Sequence, residues 1–101
     1  MAVSCISDRH ALTATLSGEL DHHAAKNIMA QLDGQIDREL PRQLTIDMGG
    51  ISFMDSSGIA VLLRAHRQMC RLEGELRVVN VPPQAKRVFQ AAGLGRIIRF
   101  E

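Results

Sequence analysis

Apolar residues recur along this chain first at every second position and then at every third or fourth. Ala2–Ser7 and His10–Ser17 read as two strands around the turn residues Asp8 and Arg9, with Leu12, Ala14 and Leu16 on one face by period-two alternation. Asp21 stands before a stripe of Ala25, Ile28, Met29, Leu32, Ile36 and Leu40, whose spacing predicts one buried side of a helix. Its carboxylate suits the N-cap, where it can accept from an unpaired backbone N–H of the first turn. Gly34 lies off the stripe and Pro41 closes it. Leu44, Ile46 and Met48 then alternate with Thr45 and Asp47 as a half-buried strand that is expected to end at Gly49 and Gly50.

A second helix follows Asp55–Ser57, turning Ile59, Leu62, Leu63, Met69 and Cys70 inward and Arg64, Arg67, Gln68 and Arg71 outward, and ending at Gly74. Leu76–Val81 reads as a strand. Pro82 and Pro83 start a third helix with Ala85, Val88, Phe89 and Ala92 inward, stopped by Gly93, and Ile97–Phe100 is a last strand. The order β-β-α-β-α-β-α-β predicts an α/β fold forming a single domain over residues 1–101. A mixed sheet of about five strands is packed by about three helices, because helical crossovers join parallel neighbours and the opening hairpin is antiparallel.

Composition narrows the function. At 101 residues and 46% hydrophobic content the chain can bury one core. A net charge of +1, 3% aromatic residues and the absence of Trp and Tyr argue against direct nucleic-acid binding, which needs basic excess and stacking rings. Cys5 and Cys70 have no C-x-x-C partner and no secretory leader precedes them, which reads as two reduced, buried thiols in a cytoplasmic protein. No apolar run approaches the roughly 20 residues of a membrane-spanning helix, so no membrane contact is expected.

The candidate chemistry is sparse. His22 and His23 are adjacent, whereas two metal ligands on a helix need a spacing of three or four to share a face, so no metal is expected. Ser56 or Ser57 with a histidine and Asp55 lacks the G-x-S-x-G elbow of a hydrolase, and an acid directly before the serine cannot orient a distant base. Walker and G-x-G-x-x-G loops are absent, so no cofactor is expected and the chain reads as a non-enzyme. Asp55-Ser56-Ser57-Gly58 remains, with two readings. Its hydroxyls cap a helix, or one of them accepts a phosphate of roughly 1.5 to 2 negative charges, which the helix start attracts and Asp55 repels. A partner covering the loop would then face a desolvated dianion and be rejected.

Four segments together resemble the anti-sigma factor antagonist family, the STAS domains, and above all its sporulation members. They are GELDHHAA at Gly18–Ala25, SFMDSSGIAVLL at Ser52–Leu63, RVVNVPPQAKRVFQAAGL at Arg77–Leu94 and IIRF at Ile97–Phe100. The resemblance implies a STAS-like fold and a partner-switching role. The unmodified protein binds an anti-sigma factor with serine kinase activity and frees the sigma factor, phosphorylation ends the binding, and a PP2C-type phosphatase reverses it. It implies Ser56 as the phosphorylation site, Ser57 as the less favoured acceptor, and Asp21, Asp55, Ser56, Ser57, Gly58 and Ile59 as partner-binding residues. Asp21 would assist kinase recognition, and Gly58 would let the partner's backbone approach. A general stress-response or other partner-switching circuit, or a phosphorylation-independent scaffold, fits the same fold. Two departures stand out. The family's sporulation members continue into a further helix after the last strand, and its absence would thin the cover of one sheet face and favour weak self-association unless the sequence simply ends short of it. The segment RAHR, Arg64–Arg67, is more basic than in those members, which bears on partner choice.

Overall fold

The computed structural model describes residues 2–101. Its elements are β1 (Ala2–Asp8), β2 (Ala11–Leu20), α1 (His22–Glu39), β3 (Gln43–Met54), α2 (Ser57–Arg71), β4 (Glu75–Val79), α3 (Pro83–Ala91), a 3-10 turn at Leu94–Arg96, and β5 (Arg99–Phe100). The five strands lie side by side in chain order; β1 is antiparallel to β2 and the remaining pairs are parallel. This is the expected element order and the expected mixed sheet.

Every crossover steps one strand in the same direction, so right-handed connections lay the three helices on one face of the sheet. That face carries the buried rows Leu12–Leu44–Leu76 and Ala14–Ile46–Val78, with Phe100 continuing the second row. Ala25, Ile28, Leu32 and Ile36 of α1 and Val61, Leu62, Ala65 and Met69 of α2 close over them. Phe89 of α3 stacks on Phe100 with ring centroids 5.2 Å apart. The opposite face is polar. Thr13, Thr45, Arg77 and Arg99 form a row across it, Arg77 Nε donates to Thr45 Oγ1 at 2.9 Å, and Glu101 pairs with both arginines. No helix among the described residues is long and apolar enough to cross a membrane.

Several boundaries differ from the pattern reading. The hairpin turn is Arg9–His10 rather than Asp8–Arg9: both have positive φ, 48° and 68°, and Asp8 pairs with Ala11. Leu40 does not join the apolar stripe. It terminates α1 in the left-handed conformation, its N–H donating to the Ile36 carbonyl, and it is 59% exposed. The strand expected to stop at Gly49–Gly50 runs through both glycines to Met54. A Cβ at Gly50 would come within 2.8 Å of the Ser17 Cβ, so there glycine permits close strand approach and is not a stop. Cys70 is exposed and Cys5 only half-buried, so the two thiols are not core residues. Ala92 is exposed beyond the end of α3, and Ile97 is 52% exposed, leaving only Arg99–Phe100 in the last strand.

Candidate functional site

β3 pairs with β4 only as far as Asp47 and with β2 as far as Met54, so β2 and β3 project together beyond the rest of the sheet. Their carboxyl ends carry two turns side by side, Leu20–His22 leading into α1 and Met54–Ser57 leading into α2. The Asp55 N–H donates to the Leu20 carbonyl at 3.2 Å and ties one turn to the other. The register shifts between Thr15 and Ser17 and again between Gly18 and Glu19, the extra residue lying each time on β3, which bends that strand here. On the far edge of β3, Gln84 of α3 takes the place of a missing strand: its Oε1 accepts from Met54 N at 2.9 Å and its Nε2 donates to Met54 O at 2.7 Å. That clamp satisfies an edge peptide group that β4 is too short to reach.

The α2 start divides its work unexpectedly. Asp55 Oδ1 accepts from Ser57 N at 2.8 Å, closing the first turn, whereas Ser56 lies at φ −64°, ψ −12°, already helical, and its side chain makes no capping bond. Ser56 is exposed and Ser57 half-buried. The Ser57 backbone N–H holds the Asp55 carboxyl below the usual carboxylate range against an opposing desolvation, with smaller help from the Ser57 hydroxyl and from the His22 N–H and imidazole. Asp21 caps α1, Oδ1 accepting from Ala24 N at 2.8 Å, as its position in the sequence implied. The structure thus brings Asp21, Asp55, Ser56 and Ser57 to one end of the sheet.

Gly58 is different. It is buried, and a Cβ there would overlap the Met54 thioether, so its missing side chain seats α2 on β3. The expectation that it opens room for a partner's backbone is corrected on that ground. Ile59 is half-buried against the core, leaving part of its side chain at the surface. Sequence reading passed over Phe53, which is 46% exposed two residues before Asp55, because Gly49–Gly50 had been read as the end of the strand. Gln84 was equally hidden, since nothing in a sequence marks a side chain that grips a strand 30 residues away.

Chemically, the site offers an exposed hydroxyl beside a carboxylate and a helix start. Nucleophilic catalysis needs a base on the hydroxyl, and Asp55 is instead committed to the Ser57 N–H. Among the described residues no group of His, Cys, Asp and Glu is arranged to hold a metal ion.

A family model described as STAS domain matches residues 5–101. The chain is 34% identical over 90 residues to the anti-sigma F factor antagonist of Paenibacillus polymyxa, covering 89% of this chain and 77% of that one. The solved structure of the anti-sigma factor antagonist SpoIIAA in its unphosphorylated form is similar with a TM-score of 0.85 at 31% identity, over 99% of this chain and 88% of that one. The Bacillus cell fate determinant SpoIIAA in its phosphorylated form gives a TM-score of 0.76 at 31% identity, over 99% and 91%.

Proposed function

The chain belongs to the STAS domain family, and from that premise we propose that it is an anti-sigma factor antagonist switched by phosphorylation of Ser56. In its unmodified form it binds an anti-sigma factor that is also an ATP-dependent serine kinase, and the sigma factor is released. Phosphorylation ends the binding, and a PP2C-type phosphatase restores the hydroxyl. Nucleotide and magnesium belong to the kinase, so the domain over residues 1–101 needs no cofactor of its own, acts in the cytoplasm and is the substrate of an enzyme.

The observation that carries the reading is the Ser56 side chain itself, which is exposed and supports no part of the fold. A phosphate there adds about 1.5 to 2 negative charges. The helix start attracts it and Asp55 repels it, so the scaffold tolerates the change. A partner seated over Asp21, Asp55, Ser57 and Ile59 would have to strip water from a dianion, and that cost empties the interface. Exposed Phe53 supplies the apolar anchor that such a surface needs beside its charges. SpoIIAA, to which this chain is similar, has been solved in both unphosphorylated and phosphorylated forms.

Incubation with ATP and its cognate anti-sigma kinase, followed by mass spectrometry, should place the phosphate on Ser56. Ser56→Ala should bind that kinase with ADP as wild type does, and Ser56→Asp should bind more than about tenfold more weakly. Label on another residue with Ser56 unmodified, or equal affinities for the two variants, would overturn the reading.

A further inference from the structure

We propose that the free edge of β1 is an interface for a second copy of this chain. The two β1 strands pair antiparallel about a two-fold axis at Cys5, joining two five-stranded sheets into one.

The argument begins at the hairpin. With Arg9 and His10 both at positive φ, the turn is the two-residue type I′ form, and the pair that flanks it, Asp8 and Ala11, is hydrogen-bonded. Hydrogen-bonded and open pairs alternate along an antiparallel ladder. Ala2, Ser4, Ile6 and Asp8 therefore aim their main-chain groups at β2, while Val3, Cys5 and Ser7 aim theirs away from the sheet. The register of β1 on β2 is unbroken over all seven residues, so that outward row is regular.

Edge strands usually carry a device that prevents further pairing, such as proline, lysine, a bulge or a covering segment. β1 reads AVSCISD: it has no proline, no basic residue and no bulge, and its one charge is the terminal Asp8. Within the described residues no element pairs with its outer side.

What favours a second copy over another strand is self-complementarity. With Cys5 opposite Cys5 of the partner, Val3 lies opposite Ser7 and every outward N–H and C=O finds an acceptor or donor. The side chains agree. Ile6, 70% exposed, faces Ser4 of the partner and lies diagonal to the other Ile6, while Asp8 faces Ala2, so the two carboxylates sit at opposite ends of the ladder. The contact joins only one strand from each copy, a narrow interface of the weak, transient class, for which a dissociation constant on the order of 10–100 μM is expected. Ala2 pairs with Ser17, and the Ser56 loop lies farther on, past Leu20. Both such loops stay uncovered at opposite ends of the dimer, so this inference stands or falls independently of the phosphorylation switch.

Sedimentation velocity of the full chain between about 5 and about 500 μM, bracketing that constant, should show monomer converting to dimer. Cα atoms of a hydrogen-bonded antiparallel pair lie about 5.5 Å apart, within disulfide range. A Cys70→Ser variant oxidised with copper phenanthroline should therefore yield a covalent dimer, and adding Cys5→Ser should abolish it. Ile6→Lys, a change at an exposed position, should leave the circular dichroism unchanged and the protein monomeric. A wild-type chain that stays monomeric throughout, a dimer that forms no Cys5 cross-link, or one that survives Ile6→Lys overturns the proposal.

Discussion

Asp55 and Ser56 split two tasks that helix starts often give to one side chain. Asp55 closes the first turn of α2, and Ser56, already in helical geometry, is left with a hydroxyl the fold does not use. Sequence alone could not decide this, because Asp and Ser are comparable N-caps and the choice between neighbours is made by a backbone torsion. The cluster was legible; the allocation within it was not. Two substitutions separate the roles. Ser56→Ala should change the stability by less than about 0.5 kcal/mol, as expected of a surface position without a structural bond. Gly58→Ala should cost about 1–3 kcal/mol, because the new methyl must displace the Met54 thioether from a closed core. Urea denaturation of both variants checks the pair, and a large loss for Ser56→Ala would mean that the hydroxyl caps the helix after all.

Between elements, the α1–α2 seam holds contacts that periodicity could not reveal. Periodicity turns Arg64 and Gln68 outward and says no more, since spacing within one helix identifies neighbours on that helix only. Both instead reach across to Asp33 of α1: Arg64 Nε lies 3.0 Å from each carboxylate oxygen, and Gln68 Nε2 donates at 2.8 Å. The basic RAHR segment thus has its first arginine engaged within the fold, with less of its charge free for a partner. The Arg64 hydrogen bond, helped by its charge and by Gln68 and opposed by some desolvation, holds the Asp33 carboxyl below its ordinary pKa of 3.8. A carboxyl depressed on folding stabilises the native state fully above its unfolded pKa and ceases to do so as the pH falls through the lower native value. Asp33→Asn should therefore be modestly less stable than wild type at neutral pH, and the gap should close as the pH is taken below 3.8, measured as urea midpoints across that range. The β1–β2 hairpin offers the opposite kind of test. Arg9 and His10 each hold a left-handed conformation that costs an L-residue about 1–2 kcal/mol, whereas Asn-Gly adopts it readily. Replacing the pair by Asn-Gly should raise the unfolding free energy by at least about 1 kcal/mol, and a loss of stability would mean that the native side chains make contacts outweighing the strain.

At the scale of the whole molecule, the order of strands and helices was readable because each helix is bracketed by a capping acid or a proline at its start and a proline or a glycine just past its end. The lateral arrangement follows from handedness: four strands advancing in one direction through three right-handed crossovers can bury only one face. Local pattern does not show where a strand outruns its neighbour, and here that overshoot of β2 and β3 builds the end that carries the candidate site. The same sheet leaves β1 with an alternating main chain, and hydrogen exchange can read the alternation directly. In dilute solution the amides of Ser4, Ile6 and Asp8, bonded to β2, should exchange slowly, while those of Val3, Cys5 and Ser7 exchange at rates near those of an open chain. If β1 pairs with itself, raising the protein concentration should slow the second set and leave the first almost unchanged, since those bonds are already made. Uniform slowing along the strand would instead indicate a general gain in stability, and no slowing at all would leave the edge unpaired. The odd–even contrast belongs to a strand taking a new neighbour on its outer side, and dimerisation through any other face would not produce it.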